Sequence, residues 1–431
     1  MNEPPSPAKS SPLLPIFLIV LVDVFGLTLV IPLLAIYAER FGASPLGATL
    51  LISVYAGCQL VSGPLLGRAS DRIGRKPMLL LSQAGTFLGF LLMAKASALW
   101  MVYVSRVIDG ATAGNLSLAQ AYISDNTAPK DRAKSFAIIG IAFGIGFFIG
   151  PFITGNLVTY GFAAPIWLAA CLSATSIVCT LTLLPGGRPP QSPHSAGAAI
   201  GPAGKRLAIF DWGAYAQYFR RPDLRALLVQ FFCFMLAFST FTSGFALFAE
   251  RTFTWAGQPF GPREIGYLLA YSGGLGIILQ GGLIGRLVKR FGEGPLAAAG
   301  FGSLVVAYVG LGLVHSVGPL VVVATVSSFG NGVLRPVLTS LISQRAGRHE
   351  QGTVLGLNQS LTSGAQIAAP TVGGVLIGRG HLSLWAFVAS AAALTGLLVA
   401  RWGSGREAVP EATVAPRSPE GSVREEEKAP G

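Results

Sequence analysis

Runs of about twenty almost wholly apolar residues follow one another from Leu13 to Ala400, and this pattern restricts the fold more than any other feature of the chain. About twenty helical residues at 1.5 Å each cross a hydrocarbon core of roughly 30 Å, where every backbone polar group must be satisfied internally. Twelve runs are long enough: Leu13–Tyr37, Gly47–Leu66, Met78–Ala94, Leu99–Ile123, Ser135–Val158, Phe162–Leu184, Leu224–Phe248, Ile265–Gly285, Leu296–His315, Leu320–Ile342, Gly352–Ile377 and Leu382–Ala400. With 52% hydrophobic and only 12% charged residues among 431, the chain lacks the polar surface to cover a water-soluble core. The expected fold is an all-α membrane protein with twelve transmembrane helices. The first run is too long for a signal-peptide core and carries Asp23 near its middle, so it is read as a span.

Lys and Arg concentrate in the loops after even-numbered spans and between the sixth and seventh, while the opposite loops hold few. This positive-inside asymmetry places both termini in the cytoplasm and accounts for most of the net charge of +12. Scattered through short hairpin loops, the charges form no stripe of the kind nucleic acid requires, and no such partner is expected. Cys58, Cys171, Cys179 and Cys233 all fall inside spans without metal or redox spacing. His194, His315, His349 and His381 lie in loops or at span ends with no acid spaced to join them. A membrane-embedded enzyme would lack its nucleophile, base and metal, so neither catalysis, cofactor nor metal is expected.

The chain divides near its middle. Residues 1–12 form a cytoplasmic tail, 13–184 and 223–402 hold six spans each, 185–222 form a Pro/Gly-rich basic linker, and 403–431 form a tail too rich in Pro, Ser and Glu to bury a core. In the linker, Leu207, Phe210 and Tyr218 are placed to lie on the membrane while Lys205, Arg206, Arg220 and Arg221 face headgroups. The segment "GRASDRIGRK" at 67–76 follows the second span, and a near copy, "GRLVKRFGEG" at 285–294, follows the eighth. Gly67, Arg68, Arg72 and Gly74 match Gly285, Arg286, Arg290 and Gly292. Likewise "IGPFITGNL" in the fifth span aligns with "AAPTVGGVL" in the eleventh, pairing Pro151 with Pro370 and Gly155 with Gly374. Two matches in one register make the halves a parallel repeat, two pseudo-symmetric six-helix bundles.

Charges inside spans are the sharpest functional clue, because each costs at least roughly 2.5–3.5 kcal/mol at the bilayer centre. Asp23 lies in the first span, and Arg106 and Asp109 lie one turn apart on the fourth, sharing a face. Either Arg106 and Asp109 neutralise each other while backbone satisfies Asp23, or Asp23 or Asp109 is a titrating carboxylate tuned by Arg106. Arg335, followed by Pro336 in the tenth span, either receives an anionic group or satisfies carbonyls freed by the proline. Phe234, Phe238, Phe241, Phe245 and Phe248 form one stripe on the seventh span, for packing or for lining a substrate cavity. The in-membrane amides Gln59, Gln120, Gln280, Asn331, Asn358 and Gln366 add hydrogen bonds there or join helices.

In the first loop repeat, Gly67 and Gly74 permit close approach, Arg72, Arg75 and Lys76 pin the loop to the membrane surface, and Asp71 is an acid where topology alone calls for none. Asp71, Arg75, Asp125 and Arg132 are placed to form a network across two loops; in the second repeat Lys289 replaces the acid. Gly146, Gly150 and Gly155 with Pro151 flatten and bend the fifth span, as ordinary small-residue packing also would.

"GRASDRIGRKP" resembles the loop 2–3 signature of the major facilitator superfamily. "GIGFFIGPFITG" resembles the fifth-span signature of its twelve-helix drug:proton antiporters, with Thr154 where a Gly is usual. "RVIDGATAGN", "AYISDNTAPKDRAKSFAIIG" and "KRFGE" are similar to the tetracycline-exporter branch, and the resemblance covers about residues 12–402. It implies that the loop network is a conformational latch and that the fifth-span motif seals the halves against proton leak. Tetracycline exporters of this kind carry an acid in the third span, a His in the eighth and an acid in the ninth. The matching positions are Gly89, Gly276 and Leu304, so all three ionisable groups are missing.

The expected function is proton-coupled export of a small amphipathic organic compound by alternating access, by a monomer in a bacterial cytoplasmic membrane. Its partners are protons, the lipid bilayer and a small-molecule substrate that needs no divalent metal. A proton-coupled metabolite importer and a non-transporting receptor on the same fold are the alternatives. Proton coupling falls to Asp23, Arg106 and Asp109, and substrate binding to Gln59, Gln120, Phe234, Phe238, Phe241, Phe245, Gln280 and Arg335.

Overall fold

A computed structural model of the chain describes residues 13–126, 132–184, 217–346 and 351–404. Its principal helices are α1 (Leu13–Glu39), α2 (Pro45–Ile73), α3 (Arg75–Ala94), α4 (Leu99–Ala111), α5 (Asn115–Asn126), α6 (Arg132–Leu157), α7 (Ala164–Leu183), α8 (Pro222–Thr252), α9 (Pro262–Ile278), α10 (Ile284–Phe291), α11 (Glu293–Leu313), α12 (Val317–Arg345), α13 (Gln351–Gly378) and α14 (Leu382–Ser404). Among the described residues, ten helices are long and apolar enough to cross a membrane. One of them is the continuous pair α9 and α10, joined through a π-helical turn at Leu279–Leu283. The pair α4 and α5 stands where the fourth span is expected. The 28 residues of α13, about 42 Å of helix, stand where the eleventh is expected.

The fourth span is not the continuous helix its hydropathy suggests. The helix stops at Ala111 and restarts at Asn115, and side chains from two neighbours satisfy the backbone groups released. Ser62 donates to the Gly110 carbonyl at 2.8 Å, Ser82 donates to the Thr112 carbonyl, and the Gly114 N–H donates back to Ser82 Oγ at 2.9 Å. The loop repeats differ in the same way from helix interiors. Gly74 joins α2 to α3 at φ 111° and Gly292 joins α10 to α11 at φ 81°. Both are one-residue turns in the left-handed region, which explains why these two glycines match.

In the first half α1 packs on α6 and α7, α3 on α7 and α4, and α2 on α4; in the second, α11 packs on α12 and α14, and α8 on α12, α13 and α14. The halves meet chiefly along α6 with α9 and α2 with α13. Under the internal repeat these two contacts are images of each other, since the fifth and eleventh spans correspond, as do the second and eighth.

The close inter-half contacts gather toward the end opposite the "GRASDRIGRK" loop, here termed the outer end. Arg251 of α8 pairs with Glu39 of α1 at 2.7 Å, and Tyr267 of α9 donates to Asn156 of α6 at 2.9 Å. Toward the loop end the helices part, and a Cβ on Gly140, Gly276, Gly281 or Gly285 would meet nothing within 4 Å. The expected linker and tails lie largely outside the described residues. Tyr218, however, is fully buried in the hydrophobic core, which corrects its expected place on the membrane surface.

Candidate functional site

The in-membrane charges of the first half converge on one buried cluster. Arg106 Nη1 lies 3.2 Å from Asp109 Oδ2, with both side chains almost fully buried. Thr86 of α3 stands beside Asp109, and Phe90 faces the Arg106 guanidinium at 5.7 Å. Asp23 of α1 is flanked by Ser176 of α7 and by Asn115, the first residue of α5, and it senses the charge of Asp109. The helix break therefore brings an amide beside the first-span acid. Tyr55 of α2 lies within the field of Asp23, Arg106 and Asp109, and Gln59 donates to its hydroxyl at 3.3 Å.

The pairing of Arg106 with Asp109 is formed, but it does not quiet the cluster. Arg106 Nε and Nη2, Asp23 Oδ1, Asn115 Oδ1 and Gln83 Oε1 are buried without hydrogen-bond partners, an unsatisfied state that costs about 1–3 kcal/mol for each group unless proton, water or ligand completes it. Asp23 is thus not satisfied by neighbouring backbone at that oxygen. Gly89, the counterpart of a third-span acid in the resembled exporters, abuts this site: a Cβ there would stand 3.2 Å from Asp109 Cβ and 3.0 Å from the Ser105 carbonyl oxygen. Asp109 of α4 thus sets its carboxylate-bearing side chain against the wall at Gly89. "DGATAGN", with glycines at 110 and 114 bracketing Thr112, was the sequence signal for the break that shapes the cluster.

At the loop end, Arg75 is buried and pairs with Asp71 at 2.7 Å and Asp125 at 2.8 Å, tying the start of α3 to the ends of α2 and α5. Lys76 donates to the Leu181 and Leu184 carbonyls, fastening the last turn of α7. Gly67 is open, Arg72 is exposed, and the side chain of Arg132 lies outside the described residues. The three-residue network lies wholly within the first half. In the second repeat Arg286, Lys289 and Arg290 are exposed, and Arg290 rests on Phe291.

The fifth-span glycines divide between two faces of α6. Gly146 meets Val24 and Gly150 meets Thr28, both on α1 of the same half; Thr154, the departure from the motif, donates to the Leu29 carbonyl at 2.8 Å on that same face. Gly155 and Pro151 instead face the other half. A Cβ on Gly155 would stand 2.9 Å from the Arg263 carbonyl oxygen, and one on Gly266 would stand 2.5 Å from that of Pro151. The motif's other face joins the halves along its length, from Gly144 against Ile277 and the Phe147 carbonyl against Gly273 to Gly155 against Arg263.

The Phe stripe makes contacts within its own half. Phe234 and Phe245 are buried, Phe234 stacks on Phe238 at 6.1 Å, and Phe241 lies 4.8 Å from Phe245 and 5.7 Å from Tyr308 of α11. Phe241, Phe245 and Tyr308 border a void of about 10 Å³, room for no more than one water. The stripe packs α8 into its own half, with Phe238 and Phe241 half-buried. Gln120 is half-buried on α5, and Gln280 is exposed in the π-helical turn, a geometry that often marks functional segments. Arg335 is exposed at membrane depth, its guanidinium 5.6 Å from the ring of Phe143 on α6 of the opposite half.

The sequence profile of the Major Facilitator Superfamily matches residues 16–370 and 281–428. The chain is 30% identical over 371 residues to the class B tetracycline resistance protein of Escherichia coli, covering 85% of this chain and 88% of that one. It is 27% identical over 369 residues to multidrug resistance protein 2 of Bacillus subtilis, covering 84% and 88% respectively. The crystal structure of the human organic anion transporter MFSD10 superposes with a TM-score of 0.69 at 23% identity, across 92% of this chain and all of that one. Span pattern, repeat, fold and relatives agree: the chain is a multi-pass membrane transporter, not an enzyme, and belongs to the major facilitator superfamily.

Proposed function

We propose that this protein exports a small amphipathic organic compound in exchange for protons, by alternating access in a bacterial cytoplasmic membrane. The observation that carries the reading is the Asp23 carboxyl group, buried with an unpartnered oxygen beside the Arg106–Asp109 pair. Two carboxylates close enough to repel, with one cation paired to Asp109, make a site where a proton relieves an imbalance of charge. Proton occupancy of Asp23 or Asp109 changes how tightly α1, α4, α5 and α7 hold together, and α1 also carries the half of the outer seal formed at Glu39.

With the loop end cytoplasmic, as the positive-inside asymmetry implies, the contacts at the outer end define an inward-facing state. In it the Arg75 network is assembled within the first half; reorientation toward the outside brings the second half against that loop. The two rigid units are residues 13–184 and 223–402, joined by 185–222. Relatives named for tetracycline and multidrug resistance support efflux as the direction. In proteoliposomes, an imposed pH gradient, acid on the outer side, should drive outward movement of dyes and antibiotics against their own gradient. Flux that runs inward under the same gradient would replace export with import, and binding without flux would leave a receptor.

A further inference from the structure

We propose that Arg335 and Phe143 form a two-point site, one point on each half, for an aromatic organic anion such as a carboxylate or sulfonate. The proposal rests on the export reading and names its cargo. Arg335 lies eighteen residues into the 29-residue α12, so it sits well within the membrane thickness, yet it is exposed. Among the described residues its guanidinium makes no hydrogen bond and no ion pair, and its neighbour is the ring of Phe143 at 5.6 Å.

A cation held at that depth requires a partner, and among the described residues no acid pairs with it. Asp23 stands beside Ser176 and Asn115 in the first half. Asp109 is paired with Arg106. Of the acids described in the second half, Glu250 and Glu264 stand near the outer end, while Glu293, at the loop end of α11, accepts from Ser340 at 2.7 Å and from Gln344 at 3.0 Å. Pro336 frees the Gly332 carbonyl, but the guanidinium does not bond it, so Arg335 is not there to repair the helix. What remains is a partner that enters from the open space between the halves.

The surroundings specify its shape. Phe143 stacks on Phe147 at 6.3 Å, a flat apolar wall beside five unengaged N–H donors arranged to bind a planar or trigonal oxyanion in bidentate fashion. An aryl ring fits the wall and its acidic substituent fits the fork. Because the two points belong to different halves, cargo bound there links them on the side where they are otherwise apart. The proton-binding acids lie in the first-half cluster, so an anion at Arg335 need not displace the proton in order to bind.

The test uses full-length protein in nanodiscs and two probes, 1-naphthoate and its uncharged analogue 1-naphthamide. Wild type should bind naphthoate saturably and about tenfold or more tighter than naphthamide, as a charge-assisted pair implies. Arg335→Gln should weaken naphthoate about tenfold while leaving naphthamide unchanged, which also shows that the variant is folded; Arg335→Lys should recover part of the loss. Phe143→Leu should weaken both probes alike. Equal naphthoate affinity in wild type and Arg335→Gln, or equal affinity of wild type for the two probes, overturns the site. Outward ethidium flux under a pH gradient, measured alongside, separates the two readings: flux without naphthoate binding removes the anion site alone, and naphthoate binding without flux of either compound removes export alone.

Discussion

Thr49 of α2 donates its hydroxyl to the Pro370 carbonyl of α13 at 2.8 Å, and at the symmetry-related contact Gly266 of α9 sits against the Pro151 carbonyl of α6. Thr49 and Gly266 hold the same place, four residues after the prolines that open their helices, Pro45 and Pro262. The two prolines whose carbonyls they meet are the pair matched by the internal repeat. At this matched position one image of the outer seal therefore carries a hydrogen bond and the other sets backbone against backbone.

The hydrogen-bonded image is the easier to loosen. Ser53 adds a bond to the Ile367 carbonyl at 2.9 Å, and each such bond contributes about 1 kcal/mol net. Thr49→Val with Ser53→Ala should shift the inward–outward equilibrium about tenfold or more toward the outward-open state. Spin labels at the outer ends of α2 and α13 would report it as a longer distance population; an unchanged distribution would show that these bonds do not hold the seal.

The packed image should fail differently. A methyl group on Gly266 would stand 2.5 Å from the Pro151 carbonyl oxygen and 3.0 Å from the Gly155 backbone, so α6 and α9 must separate to admit it. Gly266→Val is expected to block outer closure and abolish flux while the protein remains folded and outer-facing cysteines stay labelled. Gly140→Ala, where a Cβ meets nothing within 4 Å, should transport as wild type does.

For coupling, Asp23→Asn combined with Asp109→Asn should eliminate uphill transport while equal-concentration exchange of a bound substrate survives. Undiminished gradient-driven flux in that double variant would remove both acids from the proton path. Arg106→Ala leaves Asp109 buried without its counter-charge and should cost about 3–5 kcal/mol, seen as a fall in thermal unfolding temperature that Asp109→Asn in the same chain largely restores.

Much of this was legible from residue spacing, and the failures have physical causes. Hydropathy found the spans because lipid forces every crossing to be apolar for about twenty residues, but averaging over that length hid the interruption at Thr112–Gly114, where serines on α2 and α3 complete the backbone. The spacing of Phe234, Phe238, Phe241 and Phe245 established a shared face without saying what that face meets; in a two-layered bundle it meets its own half. Gly146 and Gly155 belong to one motif but lie nine residues apart, about 900° of helical rotation, which puts them on opposite sides of α6. The π-helical turn at Leu279–Leu283 had only Gly281 and Gly282 to announce it.

Metal-dependent tetracycline efflux is not expected, although tetracycline resistance proteins are among the relatives. The exporters that the sequence resembles carry ionisable groups at the positions of Gly89, Gly276 and Leu304. Leu304 is fully buried in the second-half core and Gly276 is a bare helix surface, so neither offers a ligand. Gly89 lies against Asp109, and restoring an acid there would bring a second carboxylate to a wall where a Cβ already stands 3.2 Å from Asp109 Cβ. Like charges at that separation cannot both ionise cheaply in a buried site. Purified wild type in proteoliposomes should therefore show no magnesium-stimulated tetracycline transport, and Gly89→Asp should impair transport of the native cargo instead of conferring tetracycline transport. Gly89→Asp combined with Asp109→Gly, which moves the carboxylate from α4 back to α3, should recover pH-gradient-driven flux above the Gly89→Asp level. Tetracycline flux that magnesium stimulates in the wild type, or a double variant no better than Gly89→Asp alone, would show that Asp109 does not stand in for the third-span acid.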